Sequence, residues 1–179
     1  MEKSSGGLMM QNAVLSIAGE NGIYVIKASG RATFECAGPL RDLAKKLETE
    51  DFSKVDVDLS ECQGMDSTFM GILAMLGLRS RKLGAEMNIV NANELNKSLL
   101  YGLGLKKLFN YTQGEVLMPE NGNASASASS GKLDLESAKT VLDAHKTLMD
   151  VDDSNKKKFE AVVDMVQKDI DRLNKDEDR

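Results

Sequence analysis

From residue 13 to residue 118 the chain alternates short β-branched runs with longer runs of helical spacing. Such alternation builds one sheet with crossover helices, at least partly parallel. The strand-like runs AVLSIAG (13–19) and GIYVIKASG (22–30) flank Asn21-Gly22, a hairpin-type turn signal. Residues 39–50 set Leu40, Leu43, Ala44 and Leu47 on one helical face, with Pro39 in the tolerated first turn. VDVDLS (55–60) reads as a short strand that ends in a polar turn. Residues 68–84 are apolar nearly all round until Arg79, which predicts a sandwiched helix stopped by Gly84. A strand over 85–92, a helix over 94–104 and a last short strand at 108–111 or 115–118 complete the body.

Composition bounds the function. The 179 residues carry a formal charge of −5 and are 41% hydrophobic, enough for one ordinary core. A net acidic chain without a basic stripe is a poor nucleic-acid binder. No stretch approaches the roughly 18 apolar residues that span a membrane, and the first residues lack the apolar region of a secretion signal. Cys36 and Cys62 fit a reducing cytoplasm better than a disulfide scaffold, so the expected location is cytoplasmic. Two Cys and one His exclude a four-ligand Cys/His zinc site, and no metal or cofactor is expected. The body holds no Cys–His or Ser–His arrangement because His145, the single histidine, lies in the tail. Gly102-Leu103-Gly104 lacks the context of a dinucleotide loop and reads as a helix stop. The expectation is a non-enzymatic protein.

Two breaks divide the chain. Residues 1–11 read as a flexible lead-in, 12–118 as the body, 119–131 as a flexible Ser/Ala/Gly/Asn-rich linker, and 132–179 as a helical tail. In the tail, Leu135, Ala138, Leu142, His145 and Met149 follow 3–4 spacing, as do Phe159, Val163, Val166, Ile170 and Leu173. Two readings stand: a helical hairpin folded about 151–155, or one long helix pairing with a second chain. The run Asp-Asp-Ser-Asn favours the hairpin. Short helix pairs are marginal alone, so the tail is expected to dimerise or to dock on a partner. His145 reads as a packed residue on the seam, and Lys156-Lys157-Lys158 as a solvated helix start.

The segment from Val57 to Gly71 carries the most functional information. A strand ends, and an apolar helix begins at Asp66-Ser67-Thr68. Taken alone, Asp66 or Ser67 is a helix cap. The wider pattern resembles the STAS domain family, and within it the bacterial anti-sigma-factor antagonists. The matching residues are Gly30-Arg31, Asp58-Leu59-Ser60, Met65-Asp66-Ser67-Thr68, the strand Met87-Asn88-Ile89-Val90, and the stretch from Leu99 to Leu108. The resemblance covers residues 12–118. It implies a four- to five-stranded mixed sheet with helices packed mainly on one side. It also implies that Ser67, less readily Thr68, is the phosphoacceptor of a partner-switching system. The implied partners are an anti-sigma factor that is also a serine kinase, and a cognate phosphatase. The implied partner surface comprises Thr33, Asp58, Ser60, Met65, Asp66, Ser67, Thr68, Phe69 and Met70.

The chain departs from the family pattern at three of these positions. Phe69 and Met70 replace the usual small residue and Leu, and Thr33 stands where an acidic residue often follows the Gly-Arg strand end. An exposed Phe69 would enlarge the contact surface; a buried one would alter packing only. Asp58 and Asp66 could coordinate a cation or orient Ser67, or could serve turn and cap chemistry. Cys62, close to the acceptor turn, is a redox candidate or a structural thiol. The second functional reading is a constitutive STAS-type adaptor in a larger assembly, with no phosphorylation switch.

Overall fold

The computed structural model describes residues 13–119, 125–127 and 134–178; the expected lead-in lies outside them. Strands β1 (Val14–Glu20) and β2 (Ile23–Ala32) form the expected hairpin, with Asn21 and Gly22 both at positive φ. They are followed by α1 (Gly38–Leu47), β3 (Lys54–Met65), α2 (Ser67–Leu83), β4 (Glu86–Val90), α3 (Glu94–Gly102) and β5 (Asn110–Thr112). Strand β6 (Ser125–Ser127) and helices α4 (Leu135–Val151) and α5 (Ser154–Glu177) complete the chain. The sheet order is β5-β4-β3-β2-β1-β6. Strands β2, β3, β4 and β5 run parallel to one another, whereas β1 is antiparallel to both β2 and β6. The sheet is mixed, as expected, with the helices packed mainly on one side.

The pleat sorts the side chains. Ile26, Val57 and Ile89 lie in one row across β2, β3 and β4, fully buried under the helices. The alternate residues form a polar ladder on the other face: Asn88 donates to Asp56 and Glu86, and Asn110 donates to Asn88.

Three elements differ from the expectation. Strand β3 does not stop near residue 60 but runs to Met65, its pairing with β2 interrupted by two register shifts around Lys27–Ser29 and Gly30–Arg31. The last body strand is 110–112, and 115–118 is not a strand. Inside the expected flexible linker, Ser125–Ser127 pairs with Val14–Ser16. Ladder bonds use the backbone, so a Ser/Ala tract can supply them without a packing side chain.

The tail is a hairpin broken at Asp152-Asp153. Ala138 and Leu142 of α4 pack on Val166 and Ile170 of α5, a small core of the hairpin's own. Its other face docks on the body. Ala144 and Leu148 belong to the main core, with Val151 and Phe159 packed against it. Helix α4 crosses α2 at Gly71, where a Cβ would lie 2.6 Å from the carbonyl oxygen of Ala144. At the apex, Gly104 has φ +76° and leaves room for the Asp152 side chain. The buried amide of Asn155 donates to the carbonyls of Leu103 (2.9 Å) and Leu148 (2.8 Å), tying the hairpin to the end of α3. Lys158 donates to Gly102 nearby, and Lys45 of α1 pairs with Glu136 near the start of α4.

Removing the Asn155 amide leaves the Leu103 carbonyl without this donor in a buried setting. The Asn155→Ala variant is expected to lose about 1–3 kcal/mol of stability. Urea unfolding checks this: the midpoint should fall at an unchanged m-value.

Candidate functional site at the start of helix α2

Asp66 is the cap of α2. Its extended backbone (φ −93°, ψ 171°) turns the carboxylate back on the helix, and Oδ1 accepts from the Phe69 N–H at 2.8 Å. Oδ2 accepts from the Phe34 N–H, also at 2.8 Å, at the start of a 3-10 turn (Phe34–Cys36) that follows β2. The Asp66 N–H donates to Ala32. One residue therefore clamps the end of β2 to the start of α2.

That assignment frees Ser67. It is the first residue of α2, half-buried, and its hydroxyl has no capping task. Its Oγ lies 2.8 Å from Nε2 of His145 in α4. Nδ1 of the same ring lies 2.7 Å from the Val141 carbonyl, which can only accept. With a neutral ring, Nδ1 carries the proton and Nε2 accepts from the Ser67 hydroxyl. The imidazole is 3% exposed and meets the Phe159 ring edge-on at 5.0 Å. The structure thus assembles a Ser–His pair from body and tail that the body alone could not provide. An imidazole at this distance can take a hydroxyl proton, but the residue orienting it is a backbone carbonyl rather than an acid.

The other expected site residues are dispersed. Met65, Phe69 and Met70 are buried in the main core, Phe69 fully so, and Thr68 is buried beside a cleft. The substitution at Phe69 alters packing. Thr33 is half-buried and contributes its carbonyl, which accepts from the Cys36 N–H and Sγ. Ser60 is exposed on β3. Asp58 is buried and accepts from the Ser60 N–H (2.9 Å) within β3 and from the Asn91 side chain (3.5 Å), with no bond to Ser67. Among the described residues no cluster of His, Cys, Asp or Glu could hold a metal. A cleft of about 210 Å³ opens beside Thr68 between α1 and α4, but it mixes Arg41 with Glu35 and Asp134 and so favours neither sign of charge. The residue that sequence reasoning missed is His145. Its position on the apolar seam was legible; its partner, 78 residues earlier, was not.

Both thiols are structural. Cys36 and Cys62 are buried, their Sγ atoms donate to the Thr33 and Gly64 carbonyls, and burial pushes both thiols up from the ordinary range. The thiolate is therefore disfavoured. Neither cysteine should react with a disulfide reagent at pH 8 in the folded protein, and both should react once urea unfolds it, as a spectrophotometric thiol titration would show. The Asp66→Ala variant should lose about 1–2 kcal/mol through the cap alone. Asp66→Asn should be nearly as damaging, because its amide nitrogen would face one of the two N–H donors that the carboxylate accepts; calorimetric melting compares the two.

A search of the curated proteins finds no match. Among solved structures, the anti-sigma factor antagonist SpoIIAA in its unphosphorylated form is 11% identical over 56% of this chain and 88% of its own, with a TM-score of 0.50. The Bacillus cell fate determinant SpoIIAA in the phosphorylated form gives 11%, 56%, 91% and 0.48 for the same measures. An anti-sigma factor antagonist from Mycobacterium paratuberculosis gives 20%, 55%, 85% and 0.43. At these identities the likeness is one of fold. Residues 14–110, more than half of the chain, match the family described as "Mlab, STAS domain", and the chain belongs to the STAS domain family.

Proposed function

We propose that this chain is a non-enzymatic, cytoplasmic regulator of the anti-sigma-factor-antagonist type, with Ser67 as its phosphoacceptor. Unmodified, it binds an anti-sigma factor that is also a serine kinase; phosphorylated, it is released, and a phosphatase resets it. The supporting observation is the division of labour at the start of α2: Asp66 caps the helix, and Ser67 keeps its hydroxyl clear of the backbone. A phosphate there adds about −1.5 to −2 charges beside free N–H groups and the positive end of the helix dipole, which the fold tolerates. A protein docked over the same turn does not, because it would have to dehydrate a dianion next to Asp66.

A constitutive adaptor is the second reading. The engagement of the Ser67 hydroxyl by His145, under a hairpin built into the core, favours it.

Intact mass after incubation with ATP and an anti-sigma-type serine kinase separates the two. The switch requires a gain of one phosphate, abolished in Ser67→Ala. It also requires that Ser67→Asp weaken partner binding by at least about tenfold, roughly 1.4 kcal/mol. A stable complex that is indifferent to Ser67→Asp, with no phosphate gained, would establish the adaptor instead.

A further inference from the structure

We infer that the α4–α5 hairpin is an autoinhibitory cap on Ser67, so that hairpin docking and modification of Ser67 exclude each other; this rests on the reading of Ser67 as the switch serine. Ser67 Oγ and His145 Nε2 are in direct hydrogen-bond contact at 2.8 Å, which leaves no space between them for a phosphoryl group. The imidazole cannot swing aside while docked. Its Nδ1 is held by the Val141 carbonyl, and its ring is backed by Phe159. Nor can α4 lift slightly and remain seated, because one turn away its backbone rests directly on Gly71. Close packing of this kind is two-state rather than compliant.

The hairpin is built to leave as a unit. Ala138, Leu142, Val166 and Ile170 hold α4 to α5 without any contribution from the body. The contacts that would break are a distinct set: Ala144, Leu148, Val151 and Phe159 at the main core, Ser67–His145, Asn155–Leu103, Lys158–Gly102 and the Lys45–Glu136 pair. A kinase or anti-sigma partner that needs the start of α2 therefore competes with the hairpin. Its apparent affinity is reduced by the fraction of molecules that are closed. By linkage, modification of Ser67 must shift the hairpin toward release.

Hydrogen exchange on the full-length protein alone tests this. In the wild type the amides of 69–71 and 143–151 should be protected. Ser67→Glu, which places a bulky anion at the pair, and Ala144→Leu, which cannot approach Gly71, should each speed exchange in both segments by about tenfold or more, while β3 keeps its protection. Adding His145→Ala to Ser67→Glu makes room and should restore part of the protection, a recovery that general destabilisation would not give. Protection in Ser67→Glu equal to that of the wild type overturns the cap. So does a phosphate gain at Ser67 equally fast in the wild type and in Ala144→Leu. Release of the hairpin in Ser67→Glu, with no phosphate gained by the wild type or by Ala144→Leu, would leave the cap standing and overturn the switch alone.

Discussion

Helix α2 has no polar side in its first three turns, and a helix of that kind needs apolar cover all round. Phe69, Met70, Ile72, Leu73, Ala74 and Leu76 are all buried, and the sheet can cover only one side of a helix. Of the remainder, α1 and the Leu108-Phe109 segment cover part and α4 covers the rest, with Ala144 and Leu148 completing the main core. The tail is therefore a layer of the fold rather than an appendage to it. The STAS resemblance ends near residue 118, yet the helix at the centre of that domain is finished by residues beyond it.

This constraint also explains why the contact is made of small residues. Two helices approach most closely where the side chains between them are smallest, and Gly71 against Ala144 is such a place. Close approach brings the first turn of α2 within reach of the side chain next to Ala144, which is His145. Ser67 and His145 meet as a consequence of backbone proximity one turn along. The hydrogen bond then uses a hydroxyl that Asp66 has already relieved of capping.

Most of the body was legible because its signals are local. Asn21-Gly22 requires positive φ at two successive residues, and Gly84 ends α2 in the left-handed conformation, both as read. The hairpin break was legible for the same reason, in four poor helix formers. Strand β3 was read too short because its last residues, Ser60-Glu61-Cys62-Gln63-Gly64, carry no β-branched side chain. Their alternation of exposed and buried positions comes from pairing with β2, not from composition. Strand β6 left no trace because backbone pairing of a Ser/Ala tract has no side-chain signature. The Ser67–His145 pair was out of reach for a different reason: each residue was recognisable in its own segment, but only the Gly71 contact fixes which turn of α4 faces which turn of α2.

Two demands therefore meet at one surface. Stability asks that α2 stay covered, while the regulation through Ser67 proposed above asks that its first turn be reachable. The hairpin can serve both because its seat on the body, apolar at Ala144, Leu148, Val151 and Phe159 and polar at the edges, is separate from the apolar packing that holds its two helices together. A partner that replaces the apolar contacts of Ala144 and Leu148 with its own would leave α2 covered throughout the exchange. Opening is thus least costly when something is ready to take the hairpin's place, which couples access to Ser67 to the presence of a protein able to pack on α2.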